Sequence, residues 1–70
     1  MENMIAELLT KLKQIRKDRE ITQQELSKMS GVSYSTLTKL ESGIIKNPSF
    51  AVIFRITRAL DIRLDDLFQN

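Results

Sequence analysis

Apolar residues in this chain recur at helical spacing. At about 100° per residue, Ile5, Leu8, Leu9, Leu12 and Ile15 share one stripe, which predicts a first helix from roughly residue 3 to 19. Ile21-Thr22-Gln23-Gln24-Glu25-Leu26 then reads as a complete helix start: Thr22 is the N-cap, Glu25 closes a capping box, and Ile21 and Leu26 hold the staple positions. The second helix should stop before Gly31, which is suited to the left-handed conformation of a sharp turn. Ser33 caps a third helix, with Val32 and Leu37 at its staple positions, running to about Ser42 before Gly43 ends it. After a loop containing Pro48, Ser49 caps a fourth helix through Leu60, and Leu64 to Phe68 form a last helical turn with Asp65 and Asp66 near its start. The fold class expected is all-α, with five helices and no strand.

The third helix divides by face. Tyr34, Ser35, Thr38, Lys39 and Ser42 fall within an arc of roughly 140°, with Leu37 and Leu40 on the opposite side. Hydroxyls, a phenol and a lysine can contact base edges and phosphates, although an ordinary solvated face is the alternative. Arg16 falls between Leu9 and Leu12 inside the apolar stripe of the first helix, where a charge needs a partner. Glu41, at the edge of the Leu37 and Leu40 stripe, is the best candidate; the alternative is that Arg16 snorkels to solvent. The fourth helix carries a broad apolar arc of about 160°, more than a small core easily covers. Phe50 and Phe54 lie at one edge of it and, with Phe68, form a candidate dimer surface, simple core filling being the alternative. Met1, Met4 and Ile5 form a second apolar patch or cap the core.

Composition narrows the picture. Seventy residues predict a single domain spanning residues 1–70, near the lower size limit for folding without staples. Cysteine and histidine are both absent, so there is no disulfide framework and no set of ligands for a structural zinc, and no metal or cofactor is expected. The same absence leaves no poised acid, base or nucleophile, and adjacent Asp65 and Asp66 diverge on a helix, so catalysis is not expected. The N-terminus has charges among its apolar residues and lacks a signal or membrane-spanning run, which makes the cytoplasm the expected location. Formal net charge is +2, yet residues 11–46 hold eight Lys/Arg against four acids, an asymmetry that suits a face turned to a polyanion.

A small residue, Ser27, stands where the second and third helices should cross. With it the sequence resembles the Cro/C1-type (XRE-like) helix-turn-helix family, through TQQEL (22–26), SGVS (30–33), STLTKLESG (35–43), NPS (47–49) and ALDIRLDDLF (59–68). The resemblance covers nearly the whole chain from Leu12 onward. It implies a lambda-repressor-like domain of five helices, acting as a transcriptional regulator and usually a repressor. The third helix of such a domain lies in the major groove of double-stranded DNA, usually within a homodimer on a palindrome. Carried over by position, Tyr34, Ser35, Thr38 and Lys39 read bases, while Gln23, Ser33, Ser42, Lys46 and Asn47 meet the DNA backbone. Resembling repressors also have Arg and Glu at the positions of Arg16 and Glu41. Glu20 and Asp61 depart from glycines frequent in the family, and Arg63 takes the usual Ser/Thr cap place. Glu20 is therefore expected to end the first helix in a strained left-handed conformation or to extend it.

The main alternative is a protein-interaction module, such as an antitoxin that also autoregulates through DNA. RNA binding is weaker, because A-form major grooves exclude a helix. No small-molecule ligand and no membrane partner is evident from the sequence.

Overall fold

A computed structural model describes residues 4–68. Four α-helices follow one another, α1 (Met4–Asp18), α2 (Gln23–Ser30), α3 (Tyr34–Ser42) and α4 (Phe50–Ala59), and a 3-10 helix covers Leu64–Phe68. No strand occurs among the described residues. Of the apolar patch at the N-terminus, Met1 lies outside the described residues, while Met4 and Ile5 are exposed.

Three helices start in the same way. Thr22, Ser33 and Ser49 adopt extended backbone and accept the N–H three residues on, those of Glu25, Thr36 and Val52. Each thereby satisfies a donor that the first helical turn leaves without a partner. At Thr22 the capping box is complete, since the Glu25 carboxylate accepts the Thr22 N–H at 2.8 Å. Those bonds hold the Glu25 carboxyl below the usual carboxylate range.

The helix ends divide into two kinds. Gly31 and Gly43 end α2 and α3 at φ 77° and 87°. Glu20 and Asp61 end α1 and α4 in the same left-handed region, at φ 58° and 54°. Each sits in a Schellman turn: the Ile21 N–H reaches Arg16 O and the Glu20 N–H reaches Lys17 O, while Ile62 reaches Thr57 O and Asp61 reaches Arg58 O. A glutamate in this region carries a steric cost that glycine lacks, so Glu20 is the more strained of the two.

The last turn differs from the α-helix expected. Arg63, at the cap position, offers no side-chain acceptor, and the segment closes instead by an i to i+3 bond, Asp66 N–H to Arg63 O at 3.0 Å. Its one buried side chain is Leu67.

The core joins Leu8 and Leu12 of α1, Leu26 of α2, Leu37 and Leu40 of α3, and Ile53 and Ile56 of α4, with Val32 and Leu60 from the connections and Leu67 from the 3-10 helix. Burial of Ile53, Ile56 and Thr57 fixes which edge of the broad α4 arc faces inward. Phe50 and Phe54 are therefore left outside, 69% and 46% exposed. Thr57 satisfies its buried hydroxyl by donating to Phe54 O.

Candidate nucleic-acid interface

Three residues, Gly31 to Ser33, separate α2 from α3, and the two helices pack against each other. Polar groups of α2 hold this turn. The Ser27 hydroxyl donates to Val32 O at 2.7 Å, and Ser30 Oγ accepts the Val32 N–H at 3.1 Å. With its backbone polar groups satisfied, Val32 can bury its side chain in the core. The two serine contacts were not anticipated from sequence, because they depend on where the turn returns.

Leu37 and Leu40 anchor the inner face of α3, leaving Tyr34, Ser35, Lys39 and Ser42 exposed and Thr38 half-buried. Ser33 is exposed at the start of the helix, where its hydroxyl caps Thr36 N–H and donates to Thr36 Oγ1. Thr38 and Ser42 each donate their hydroxyl to the carbonyl three residues back, of Ser35 and Lys39. Their oxygens keep acceptor capacity, and the rotors can exchange this local bond for an outside partner. Lys46 and Asn47 are exposed in the segment after Gly43.

Behind α3 stands a charged network. Arg16 donates from Nε to Glu41 Oε2 and from Nη2 to Glu41 Oε1, both at 2.7 Å. A third guanidinium hydrogen bond goes from Nη1 to Ile21 O at 2.6 Å. Both side chains of the pair are 9% exposed. Burial pushes the Glu41 carboxyl up, but hydrogen bonds from Arg16 and Gln23, with the charges of Arg16 and Lys13, outweigh it and hold the group below the ordinary range. Glu41 lies in the last turn of α3, where a carboxylate opposes the helix dipole, so the guanidinium also answers that unfavourable placement.

Gln23, which the family resemblance assigns to DNA backbone phosphate, is tied into this network. It is half-buried at the first residue of α2, and its Nε2 donates to Glu41 Oε1 at 2.8 Å. An amide nitrogen has two hydrogens, so one donor remains for an outside acceptor while the other fixes the side chain. Gln23, Glu41 and Arg16 thus join the start of α2, the end of α3 and the end of α1.

Charge is also arranged differently in space than along the chain. Lys11 Nζ donates to Leu67 O at 2.6 Å, Arg19 Nη1 donates to Leu60 O, and Lys13 Nζ approaches Glu41 O at 3.5 Å. Lys11 of α1 and Arg19 just beyond its end, with Arg16, are occupied within the fold, whereas the single long contact of Lys13 leaves other ammonium hydrogens for an outside acceptor. Lys28, Lys39 and Lys46 are exposed on and beyond α2 and α3.

Of the aromatic residues, Phe50 and Phe54 stack with ring centroids 6.0 Å apart, and the Arg58 guanidinium lies 5.7 Å from the Phe54 centroid. Together they form a continuous exposed stripe on α4. Phe68, 48% exposed, belongs to the 3-10 helix.

Among known proteins, a family model described as helix-turn-helix matches residues 12–67. Two proteins of Archaeoglobus fulgidus, both named uncharacterized HTH-type transcriptional regulator, are similar over most of their length. One is 37% identical over 59 residues, 84% of this chain and 83% of its own. The other is 36% identical over 59 residues, 84% and 82% of the two chains. A protein of the same description from Methanocaldococcus jannaschii is 34% identical over 58 residues, covering 83% of this chain and 86% of its own.

Proposed function

The chain belongs to the Cro/C1-type (XRE-like) helix-turn-helix family of DNA-binding transcriptional regulators, and from that premise we propose that it represses transcription as a homodimer on a palindromic operator. In this reading α2 and α3 are the helix-turn-helix, and α3 enters the major groove. Tyr34, Ser35, Thr38 and Lys39 face base edges, and Gln23, Ser33, Ser42, Lys46 and Asn47 meet sugar and phosphate.

The observation that carries the reading is the joining of Gln23 to Glu41 and Arg16 behind a helix whose outer face is polar. Base discrimination needs side chains held in a fixed register on the duplex, and phosphate contacts set that register. A network that fixes the first residue of α2 relative to the end of α3 provides such a brace. A buried ion pair adds little to stability over apolar replacements, so orientation is its better explanation.

The second copy would meet this one on the Phe50 and Phe54 stripe, with Phe68, placing the two α3 helices about 34 Å apart, one turn of B-DNA. Selection of bound sites from random duplex DNA tests the whole reading. The expected result is a rough palindrome with half-sites about one helical turn apart. Recovery of no sequence preference would sink operator recognition and favour a protein-interaction module.

A further inference from the structure

Between the first half of α1 and the segment leaving α3 lies a groove of about 420 Å³. That volume falls within the range of small-molecule sites. Its floor is apolar, made by Leu9, Leu40 and Ile45, and Lys13 and Lys46 border it. The backbone builds one wall: Gly43, left-handed at φ 87°, turns the chain away from α3, and the Ile45 N–H then returns to Lys39 O at 3.1 Å. Glu41 also lines the groove, but its carboxylate oxygens are bonded to Arg16 and Gln23. Its negative charge is therefore answered chiefly by Arg16, and Lys13, held only by a 3.5 Å contact to Glu41 O, keeps ammonium hydrogens that with those of Lys46 dominate the rim.

We propose that this groove binds a small amphipathic anion, a carboxylate on an alkyl or aryl body. The carboxylate lies between Lys13 and Lys46, and the body covers Leu9, Leu40 and Ile45. Charge complementarity selects the class. A cation would meet two ammonium groups, and an inorganic anion would leave the apolar floor wet. Lys46 is also a residue assigned above to DNA phosphate, so ligand and DNA compete for it, and by linkage each weakens the other. That competition rests on the DNA reading; binding to the free chain does not.

Octanoate, titrated into the full chain without DNA and followed by backbone amide chemical shifts, is the test. Saturable shifts are expected at Leu9, Lys13, Gly43, Ile45 and Lys46. Lys13→Ala with Lys46→Ala, which removes both ionic contacts, should raise the dissociation constant about tenfold or more. Ala6→Phe, placed on the exposed α1 side of the groove, should block binding while the thermal transition stays in place. The proposal is overturned by the absence of saturable shifts, by shifts centred on Phe50 and Phe54, or by octylammonium binding as tightly as octanoate. Displacement of the selected operator by octanoate supports the competition, and binding without displacement overturns it. A chain that binds octanoate but no DNA overturns the operator reading and leaves this site standing.

Discussion

Arg16 and Glu41 meet through two parallel hydrogen bonds of equal length, 2.7 Å, although 25 residues separate them in sequence. Removing either partner leaves the other charge buried. Arg16→Ala or Glu41→Ala should therefore cost about 3–5 kcal/mol, a large part of what a domain this small has. Arg16→Met combined with Glu41→Leu should recover part of that loss, because no buried charge is then left alone. Urea unfolding of the three variants checks this; single substitutions costing under about 1 kcal/mol would show that the pair is effectively solvated.

The same carboxylate gives the fold an acid limit. Its folded-state pKa lies below the ordinary value of 4.5, so the stabilisation it contributes is full above that pH. It is lost as pH falls from there through the depressed folded value. Thermal midpoints measured from neutral to strongly acid pH should drop across that window. In the Arg16→Met, Glu41→Leu double variant the drop should be shallower. An unchanged profile would assign the acid limit to other carboxylates.

At Glu20 the backbone conformation favours glycine. Glu20→Gly relieves a left-handed strain of about 1–2 kcal/mol and loses some through the greater freedom of glycine when unfolded. A net gain of about 0.5–1 kcal/mol is expected, with less from Asp61→Gly, since aspartate tolerates this region better. Glu20→Ala keeps the strain and should show no such gain. Thermal unfolding of the three compares them directly.

Affinity and specificity should separate along the interface. Lys46→Ala should weaken binding to all sequences by a similar factor and reduce the salt slope by about one unit. Thr38→Ala and Lys39→Ala should lose about 1–3 kcal/mol of discrimination at particular base pairs. Lys39 has a long stem, and if it swings to a phosphate it will imitate Lys46. Binding to single-base operator changes at two salt concentrations distinguishes these cases, and unchanged preference in all three variants would remove α3 as the reader.

Phe54→Asp tests the second copy. Its side chain is 46% exposed, so the monomer should keep its fold while the stripe loses its apolar continuity. Sedimentation should then show dimer for the parent chain and monomer for the variant. A parent chain that stays monomeric with and without DNA would leave the stripe without this role.

Features encoded within a few residues were legible in the sequence. Thr22, Ser33 and Ser49 announce helix starts because the cap hydroxyl and the N–H it accepts lie three residues apart, and Gly31 and Gly43 announce ends because few residues tolerate their backbone angles. Arg16 was legible for another reason, since a charge inside an apolar stripe demands a partner. What stayed hidden depends on groups without a sequence signature. Lys11 and Arg19 contributed to the basic segment along the chain, yet they bond carbonyls of Leu67 and Leu60, acceptors every residue possesses. Gln23 joined Glu41 only once α2 and α3 had been placed, and the groove beside Ile45 is space between elements rather than a property of any one of them.

Those carbonyl contacts have a genetic asymmetry. An ion pair such as Arg16 with Glu41 can be lost by substitution at two positions, and compensation can come from either side. The ties from Lys11 to Leu67 O and from Arg19 to Leu60 O depend on one side chain each, because substitution at residue 60 or 67 keeps the carbonyl. Drift at the acceptor positions is then constrained only by packing, and the whole mutational vulnerability of both ties rests on Lys11 in α1 and Arg19 just past its end.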